Sequence, residues 1–462
     1  MKKLNTIIDY DLDINVCGIT DDYSIVKDGY IFVATKGYFV DHFKCINKAI
    51  DKGCVFLVVD RKIDINFPHI IVDNINDYYN ELCKKYYDID LDIYNFYGIT
   101  GTDGKTTTAS IVSQLIDSCS YMGTNGLIIG SEEYPLSNTT PCISELYDSL
   151  NIINKSNIKN VSMEVSSEAL LHDRVKDFRF KIVGITNVTG DHLSVHKSFF
   201  NYLKCKLKIL DLIDVDGFAF INGDDKNLKN ISLNRKCYTY GFSKECDFYI
   251  KKVEEKDRFL SIVLVDKINN KNNEILSPFF EKFNVYNVVL AFLIAKTAGI
   301  DENTIIEKIK KLKRVKGRCE ELNFGQKFKI VLDYAHTIHA VESILDVYKN
   351  QKLIVVTGAA GGRDKKKRPI IGQMVIDNSD VAIFTMDDPR YEDADEIINQ
   401  MVGKNSNYIR LINRKEAIEY ALSIASDDSV VLVIGKGRDN YMAIENRKIP
   451  YSDYEVIKNF FS

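Results

Sequence analysis

The segment GITGTDGKTTTAS (98–110) constrains the fold most strongly, because it joins an apolar strand candidate to a helix through closely spaced glycines. Glycines let successive backbone N–H groups approach phosphate oxygens, and the helix N-terminus adds a favourable dipole. Lys105 is placed to reach β- and γ-phosphates, and the Thr106 hydroxyl can ligate Mg²⁺. The phosphate-binding pattern GxxxxGK[ST] expects a glycine where this chain has Ile99. Even so, the order of strand, loop, GKT and helix favours ATP binding over a Gly/Thr-rich helix cap.

Length and composition exclude several classes of protein. At about 150 residues per domain, the 462 residues predict about three domains. Hydrophobic residues make up 45% of the chain and charged residues 27%, which excludes a largely disordered chain. The net charge of −4 argues against a protein whose main task is to neutralise nucleic-acid phosphates. The cysteines contain no CxxC pair, and no apolar run approaches the ~20 residues needed to span a bilayer. We therefore expect a cytoplasmic protein with reduced thiols that binds neither nucleic acid nor a membrane.

Short apolar runs alternate with helical segments along the chain. Such runs, separated by helices, predict parallel sheets that are covered on both faces. The expected fold is therefore α/β throughout, with region boundaries near residues 93 and 315. The strand candidates are residues 30–34, 54–60, 69–73, 94–100, 161–165, 181–188, 217–222, 329–335, 352–362, 380–387 and 429–437. The helix candidates are residues 42–53, 200–210, 284–299 and 302–315.

Several strand candidates end in polar residues, at the sheet edge where open α/β sheets bind ligands. Glu164 follows the run 161–163 and could hold a metal there, or could belong with the following serines to an ordinary helix cap. The sequence supports these two interpretations equally. His192 and His196 are four residues apart and would share one helix face. Without a third ligand nearby, a hydrogen-bonded surface pair is more common than a metal site.

Basic residues occur in three further settings. Lys204, Lys206 and Lys208 lie among apolar residues, which is typical of an amphipathic helix face with snorkelling lysines. The loop GGRDKKKRP (361–369) follows a strand candidate, a position that fits a phosphate or carboxylate site better than a nucleic-acid patch. Arg390 follows a proline in a turn. Its planar guanidinium could clamp a carboxylate, or could pair with a neighbouring aspartate at the surface.

Short motifs follow one another in a specific order: GTDGKTT (101–107), NTT (138–140), MEVSS (163–167), DHL (191–193), FNVYN (283–287), GRCEE (317–321), DYAHT (333–337), GGRDKKKRP (361–369), DDPR (387–390) and GKG (435–437). This order resembles the Mur ligase family, and within it the UDP-N-acetylmuramoyl-tripeptide synthetases. The resemblance covers essentially the whole chain. It implies an N-terminal UDP-sugar-binding domain (1–93), a central ATP-binding domain with a P-loop ATPase-like parallel sheet (94–315) and a C-terminal Rossmann-like domain that binds an amino acid (316–462).

The resemblance implies a two-step ligation in peptidoglycan biosynthesis, carried out by a monomer. ATP would phosphorylate the free D-glutamyl carboxylate of UDP-MurNAc-L-Ala-D-Glu. The amine of a free amino acid would then attack the acyl phosphate and expel phosphate. Activation is needed because a carboxylate is a poor electrophile, and phosphoryl transfer among several anions requires Mg²⁺ and lysine to stabilise charge.

The resemblance also implies roles for individual residues. ATP would contact Gly101, Thr102, Asp103, Gly104, Lys105, Thr106, Thr107, Asn287, Arg318, Asp333 and His336. The metal ligands would be Thr106, Glu164, His192 and Lys206, the last as a carbamate formed with CO₂, and the catalytic set would be Lys105, Lys206, Glu164 and His192. The UDP-MurNAc-dipeptide would contact Tyr23, Thr139, Thr140, Ser166, His172 and Arg174. The incoming amino acid would contact Arg363, Asp387, Asp388, Pro389, Arg390, Gly435 and Asp439.

Some motifs depart from the family pattern. The DSR of relatives appears as DYS (22–24), His172 stands where relatives have glutamine, and the GKGHE of relatives has RD (438–439) in place of its last two residues. Relatives that add diaminopimelate carry DNPR, so Arg390 in DDPR indicates meso-diaminopimelate, with L-lysine or another amino acid as alternatives. The departures also leave open a Mur-type ligase with a different acceptor, such as a folylpolyglutamate-like, poly-γ-glutamate or secondary-pathway ligase. A third alternative is a non-catalytic module that binds nucleotides or nucleic acid.

Overall fold

A computed structural model of the protein describes residues 1–36, 41–190, 193–229, 231, 236–257, 259–445 and 447–462. Within these ranges, strands gather in three larger sheets that follow one another along the chain and carry helices against their faces. The predicted α/β fold is therefore confirmed. None of the helices in these ranges combines the length and the apolar composition that crossing a membrane requires.

The first sheet is parallel and lies near the start of the chain. Its strands, in order across the sheet, are Gly18–Thr20, Tyr30–Val33, Cys54–Val59 and His69–Ile71. The helix predicted over residues 42–53 begins as the 3₁₀ turn His42–Cys45, capped by Asp41, and is α-helical over Ile46–Asp51. The other helical elements before residue 94 are Leu4–Thr6, Tyr23–Ile25, Ile75–Tyr87 and Leu91–Ile93, and a short ladder pairs Lys2–Lys3 with Asn15–Val16.

The central sheet is built on parallel strands. Across the sheet these strands are Cys119–Gly123, Asn160–Glu164, Asn95–Thr100, Phe180–Ile185, Ile213–Asn222, Cys237–Gly241 and Phe248–Lys256. Helices cover the middle strands on both faces, which explains why nearly continuous apolar runs form them.

Antiparallel strands extend both edges of this sheet, so the prediction of purely parallel sheets is wrong for the central region. Gly126–Ile129 and Glu132–Tyr134 form a meander at one edge, and Phe259–Asp266 and Lys271–Ser277 form one at the other. Tight turns can join antiparallel neighbours, so these strands need no helix between them. The second half of Phe248–Lys256 is mostly exposed and polar, which hides this strand from a search for apolar runs.

Two helices fix residues 98–110, which we call the phosphate-binding segment after their predicted role, within the central region. Lys105–Leu115 begins at Gly104 and packs on Asn284–Thr297, which is apolar and almost wholly buried. A helix buried on all sides needs no polar face, which accounts for its uniform composition. The other helices of this region are Ile143–Lys155, Ser167–Leu171, Leu193–His196, Phe199–Leu207 and the 3₁₀ helix Lys208–Leu212.

The last helix of the central region, Glu302–Ile309, is shorter than the predicted 302–315. The Gln114 side chain accepts from the Lys313 backbone N–H at 2.9 Å and donates to its carbonyl at 3.3 Å. Because these backbone groups are satisfied outside a helix, the chain leaves the helical path. We call residues 310–319 the connecting segment, since they lead to the third sheet.

The third sheet is parallel except for its first strand. Its strands, in order across the sheet, are Glu320–Leu322, Lys329–Asp333, Ser429–Ile434, Lys352–Thr357, Val381–Phe384 and Ile409–Arg410. The helices of this region are Ile338–Tyr348, Lys367–Asp377, Ala394–Val402, Arg414–Ser423 and Asp453–Phe460, and a hairpin joins Tyr441–Ile444 to Arg447–Pro450. Each predicted region thus contains one larger sheet, while the exact domain boundaries stay a prediction.

Candidate active site

A cavity of about 680 Å³ lies between the carboxyl ends of the central strands and those of the third sheet. This is the edge at which open α/β sheets bind ligands. Most predicted site residues line it: Thr102, Asp103, Gly104, Lys105, Thr106, Thr107, Thr139, Thr140, Glu164, Ser166, Arg174, Lys206, Asn287, Arg318, Asp333, His336, Arg363, Asp387, Asp388, Arg390, Gly435 and Asp439. Four other predicted residues, Gly101, Pro389, Tyr23 and His172, do not line it, and His192 lies outside the described residues.

The phosphate-binding loop needs its glycines for space and for backbone conformation. Gly101 and Gly104 have φ values of 148° and 84°. A Cβ atom at Gly101 would lie 1.8 Å from Thr186 Oγ1, and one at Gly104 would lie 2.4 Å from Asn287 Oδ1. Lys105 Nζ donates to the Gly101 carbonyl at 2.9 Å, so the lysine follows the curve of the loop. Ile99, which stands where the pattern expects its first glycine, is fully buried in the preceding strand and leaves the geometry of the loop intact.

Thr106 and Glu164 form the centre of a buried polar network. The Thr106 hydroxyl donates to Glu164 Oε2 at 2.9 Å and accepts from Arg318 Nη2 at 2.9 Å. Tyr121 Oη donates to Glu164 Oε1 at 2.5 Å, and the Thr124 backbone N–H donates to the same oxygen at 2.8 Å. Burial and then the Glu164 charge raise the pKa of Tyr121 well above its usual range, so the phenol stays a donor. No sequence motif marks Tyr121 or Thr124, and neither was predicted.

Ser166 caps the helix that follows the Glu164 strand, through a bond from the Ala169 N–H to Ser166 Oγ at 3.1 Å. Thr140 ties the same turn together: its hydroxyl donates to the Glu164 carbonyl at 2.8 Å and accepts from the Ser166 N–H at 2.9 Å. Arg174 Nη1 donates to the Thr140 carbonyl at 2.9 Å. The Glu164 carboxylate therefore takes no part in the cap, and three residues predicted to hold the peptidyl substrate lie together.

The oxygen donors at this wall fit Mg²⁺. Thr106 and Glu164 are both nearly fully buried and present a hydroxyl and a carboxylate, which are hard ligands of the kind Mg²⁺ prefers. Among the described residues, no group of three or more His, Cys, Asp and Glu side chains is placed to hold a metal ion. Mg²⁺ usually completes its coordination with water and substrate phosphates, so a dedicated protein cage is not required.

Lys206 differs from the two lysines beside it. Lys204 and Lys208 are exposed, whereas Lys206 is 2% exposed. Its Nζ donates to the Gly101 carbonyl at 2.6 Å and lies 4.8 Å from the centre of the Tyr202 ring. The interpretation of three snorkelling lysines is therefore wrong for Lys206, because its helix packs against the phosphate-binding loop and turns this side chain inward.

His196 is buried, so the prediction that it belongs to a surface histidine pair is wrong. His196 Nε2 lies 3.1 Å from Ser167 Oγ, and the ring packs edge-on against Tyr202. Burial lowers the pKa of His196, which favours a neutral imidazole that is hydrogen-bonded in the core. Its side chain therefore supports the helix that carries Lys206.

Tyr23 and His172 lie away from the cavity wall. Tyr23 forms part of a 3₁₀ turn beside the first sheet, with Lys48 Nζ 5.1 Å from the centre of its ring. The His172 carbonyl accepts from Asn76 Nδ2 at 3.3 Å, and burial lowers the pKa of the His172 imidazole. Neither residue therefore lines the cavity with the other residues predicted to bind the UDP-sugar substrate, although the Arg174 charge adds to burial in lowering the pKa of His172.

Asp333 ends a strand of the third sheet, His336 follows it by three residues, and both line the cavity. The Asp333 carboxylate accepts from the backbone N–H groups of Cys319 at 2.7 Å and Ala335 at 2.6 Å. Burial nevertheless raises the pKa of Asp333. His336 Nδ1 lies 2.8 Å from the Tyr334 carbonyl. These bonds fix the loop that opens toward the phosphate-binding segment.

Three contacts join the phosphate-binding segment to the third sheet region, and one of them places His339 Nδ1 3.9 Å from Asp103 Oδ2. Thr337 Oγ1 donates to Asp103 Oδ1 at 3.1 Å. Arg318 donates to Thr106 and stacks on Tyr334, with its Cζ 4.7 Å from the ring centre. The two sides of the cavity are therefore in direct contact at the phosphate-binding segment.

The DDPR turn and the GKG loop are held together by a buried ammonium group. Lys436 is fully buried, and its Nζ donates to Asp388 Oδ1 at 2.7 Å and lies 3.6 Å from Asp387 Oδ1. The Ala443 N–H also donates to Asp388 Oδ1, at 2.9 Å. Gly435 has a φ of 113°, and a Cβ there would lie 2.7 Å from Asp387. Lys436 was not predicted as a site residue, although the GKG motif contains it.

Arg390 and Arg363 both line the cavity. Burial, and then the neighbouring Arg363, lower the pKa of Arg390. Arg363 Nη1 is buried without a hydrogen-bond partner among the described residues and lies 4.0 Å from Glu168 Oε1. Among the described ion pairs none joins Arg390 to Asp387 or Asp388, so the suggested local surface pair does not form. Two neighbouring guanidinium groups at a cavity wall favour a bound carboxylate.

Of the RD pair (438–439), Arg438 packs against other residues of the third sheet region and Asp439 lines the cavity. Arg438 Nε donates to Glu320 Oε2 at 2.7 Å, and its Cζ lies 3.5 Å from the centre of the Tyr454 ring. Asp439 lines the cavity, and burial raises its pKa to about 7. The departure from the family pattern therefore leaves an acidic group in the cavity wall.

Two family profiles match the chain. Residues 99–295 match the Mur ligase middle domain, and residues 317–437 match the domain described as "Mur ligase, glutamate ligase domain". Both matches contain cavity residues, and the connecting segment lies largely between them.

Full-length relatives and solved structures agree with these profiles. UDP-N-acetylmuramoyl-L-alanyl-D-glutamate--2,6-diaminopimelate ligases from Bacillus velezensis and Phocaeicola vulgatus are 33% and 34% identical to this chain, covering 96% and 97% of it and 94% and 95% of their own lengths. A solved ligase of the same name is 25% identical, with a TM-score of 0.64 over 100% of this chain and 98% of its own. A MurF ligase of Thermotoga maritima in complex with ADP shares the fold, with a TM-score of 0.66 at 18% identity over 96% of both chains. The chain belongs to the Mur ligase family.

Proposed function

We propose that this protein is an ATP-dependent ligase that joins meso-diaminopimelate to the D-glutamyl carboxylate of UDP-MurNAc-L-Ala-D-Glu. The observation that carries the proposal is a cavity lined by two sets of residues. One set is the phosphate-binding loop with Thr106 and Glu164 from the central region, and the other is Arg363 and Arg390 from the region of the third sheet. A nucleotide and an amino-acid carboxylate would face each other across this space. The names of the full-length relatives support the same reaction.

The first step would take place at the central sheet. Lys105 and the backbone N–H groups of residues 101–104 would bind the phosphates of ATP. The glutamyl carboxylate, held near Thr140 and Arg174, would attack the γ-phosphorus, form an acyl phosphate and release ADP. Lys105 and Arg318 would stabilise the negative charge on the transferred group.

The amide bond would form toward the third sheet. The amine of the incoming amino acid would attack the acyl carbon, lose a proton, and the tetrahedral intermediate would expel inorganic phosphate. Arg363 and Arg390 would hold a carboxylate of this amino acid, and Asp439 would hold an ammonium group. Meso-diaminopimelate carries a second carboxylate that L-lysine lacks, so a pair of arginines favours diaminopimelate.

We also propose that Thr106, Glu164, His192 and a carbamylated Lys206 hold Mg²⁺. When bound, Mg²⁺ would neutralise phosphate charge during the transfer. The burial of Lys206 at the cavity wall supports its selection, because the lysines on either side of it are exposed.

An amino-acid panel tests the proposal. Purified protein is incubated with ATP, MgCl₂, UDP-MurNAc-L-Ala-D-Glu and one amino acid at a time, and both phosphate release and product mass are measured. We expect meso-diaminopimelate to exceed L-lysine by about 10²-fold or more in kcat/KM, because lysine would leave the half-buried guanidinium groups of Arg363 and Arg390 unpaired. Arg390→Leu should raise the KM for meso-diaminopimelate and leave the Kd for ADP, measured without an amino acid, unchanged.

Two outcomes would count against the proposal. If no amino acid stimulates phosphate release above the blank, the tripeptide synthetase assignment is wrong. If the protein does not bind the UDP-MurNAc-dipeptide but ligates glutamate to a folate or poly-γ-glutamate acceptor, it is a Mur-type ligase with a different acceptor.

A further inference from the structure

A chain of buried side chains leads from the connecting segment to the phosphate-binding loop. Glu281 is 1% exposed, and its Oε1 accepts from Arg314 Nη1 at 2.5 Å. Its other oxygen, Oε2, accepts from Asn284 Nδ2 at 3.0 Å. Asn284 Oδ1 in turn accepts from Asn287 Nδ2 at 2.9 Å. Glu281 and both asparagines are buried, so these hydrogen bonds are shielded from water.

The chain ends on the loop that is expected to bind phosphates. Asn287 Oδ1 accepts from Thr108 Oγ1 at 3.2 Å, within the first turns of the helix that follows the loop. A Cβ atom at Gly104 would lie 2.4 Å from the same oxygen. Asn287 therefore lies directly against the glycine that begins this helix, and a change in its orientation would alter the wall of the nucleotide site.

The opposite end is fixed at the junction between two domains. Arg314 lies between the stretches matched by the two family profiles, 99–295 and 317–437. Its guanidinium stacks on Phe280, with Cζ 4.5 Å from the ring centre, while it pairs with Glu281. The pair therefore anchors the connecting segment in the central region.

The charge of Glu281 determines the direction of every bond in the chain. A carboxylate only accepts hydrogen bonds, so Asn284 must present its NH₂ group to Glu281 and its carbonyl oxygen to Asn287. Asn287 must then donate to Asn284 and turn its own Oδ1 toward the loop. An asparagine amide has two orientations of similar shape, and its hydrogen-bond partners select one of them.

We propose that Glu281 is a positioning residue for the nucleotide: its charge, transmitted through two asparagine amides, holds Asn287 in one orientation against the phosphate-binding loop. Arg314 supplies the countercharge and couples this arrangement to the connecting segment. The inference rests on the proposed function in placing ATP beside Asn287, but nucleotide binding alone tests it.

Glu281→Gln preserves the shape of the side chain and can donate as well as accept, so it no longer selects one amide orientation. We expect the Kd for ADP, measured by isothermal titration calorimetry with MgCl₂, to rise about tenfold, the effect of one misplaced hydrogen bond. In turnover assays the KM for ATP should rise by a similar factor, while kcat and the KM for the UDP-MurNAc-dipeptide stay within about twofold of wild type. A merely structural role would alter all three parameters together.

Glu133→Gln is the matched control. Glu133 also pairs with a basic residue of the connecting segment, since its Oε1 lies 2.6 Å from Lys316 Nζ, but this pair is at the surface. Exposed ion pairs contribute little, and this one does not reach the asparagines. The Kd for ADP of Glu133→Gln should therefore equal that of wild type.

A double variant separates positioning from general damage. In an Asn287→Ala background, Glu281→Gln should not weaken ADP binding further, because the amide that it orients is absent. If Glu281→Gln does not fold, Arg314→Gln serves instead, since it removes the guanidinium that bonds Glu281 Oε1 and couples Glu281 to the connecting segment. Unchanged ADP affinity in the folded variant, or additive losses in the double variant, would overturn the proposal. A wild-type protein that binds ADP but ligates no amino acid would reject only the proposed function.

Discussion

At the scale of single residues, Lys206 and Lys208 lie two positions apart, but only Lys206 is buried at the cavity wall. We expect Lys206→Ala to lower kcat by about 10²-fold or more, as expected when a group that stabilises developing charge is lost. Acetate or formate should restore part of the rate of phosphate release, because a small carboxylate can replace the carbamate. Lys208→Ala should retain wild-type activity. Full activity of Lys206→Ala without added carboxylate would remove Lys206 from the mechanism.

Asp439 makes folding stability depend on pH. Burial raises its pKa to about 7, so the native state holds this proton more tightly than the unfolded state does. Stability therefore decreases as the pH rises from the ordinary aspartate pKa of about 4 to about 7, and this penalty is constant above that range. Asp439→Asn cannot ionise. Calorimetry gives the Tm of Asp439→Asn minus the Tm of wild type. We expect this difference to be more positive at pH 8 than at pH 4. An equal Tm difference at both pH values would contradict this assignment.

Local patterns identify some site residues and miss others for a physical reason. Thr106 was predicted because a glycine loop before a helix places its side chain at the sheet edge by local geometry. The position of Glu164 at a strand end left two interpretations open, and the family resemblance assigned it to the metal site. Tyr121 and Glu281 act through partners that are distant in sequence, and the packing that unites them leaves no local signal. Lys436 lies in the GKG motif, but its pairing with the DDPR turn cannot be seen in the sequence.

At the scale of elements, the turn that begins the Lys105–Leu115 helix offers a sharp test. Gly104→Ala would combine a positive φ with a methyl group 2.4 Å from Asn287 Oδ1. We expect it to weaken ADP binding by more than about tenfold, since the loop must shift away from the phosphates. Gly130 provides the control, because it has a φ of 60° but a methyl group there would meet no atom within 4 Å. Gly130→Ala should cost about 1 kcal/mol of stability and leave ADP affinity unchanged. Equal ADP affinities for both variants would contradict the prediction.

Some helices and strands can be predicted from the sequence more accurately than others. Strands buried on both faces, such as Asn95–Thr100 and Ser429–Ile434, carry continuous apolar runs and were predicted within a few residues. Charged and polar residues interrupt the apolar pattern of two outer strands of the central sheet, Phe248–Lys256 and Lys271–Ser277, and hide them. Phe259–Asp266, which lies between them, is a mostly buried apolar run that was missed although its pattern is visible. The end of Glu302–Ile309 depends on Gln114, which is nearly two hundred residues away, and no local pattern reveals such a contact.

At the scale of the whole molecule, the connecting segment provides a reporter for nucleotide binding. It carries exposed trypsin sites at Lys311, Lys313 and Lys316. Cleavage within a folded chain requires local opening, and a ligand that binds only the closed form makes opening less frequent. We expect ADP with MgCl₂, at about a hundred times its Kd, to slow cleavage at these sites by about 10²-fold, measured by mass spectrometry of the fragments.

Arg318→Ala provides the control for this experiment, because it removes a contact between the two sides of the cavity at Thr106. At equal ADP saturation, ADP should slow trypsin cleavage of the connecting segment clearly less in Arg318→Ala than in wild type. If ADP protects both proteins equally, or protects neither, nucleotide binding is not coupled to the connecting segment.

The contacts across the cavity have a consequence for how one ligand affects the binding of another. Asp103 and Thr106 on one side contact Thr337 and Arg318 on the other, so the approach of the two sides is common to the proposed nucleotide and amino-acid sites. A ligand that favours this approach at one site reduces the free-energy cost of ordering at the other. We therefore expect ATP and the amino acid to increase each other's affinity, and by thermodynamic reciprocity by the same factor, although they would bind separate groups.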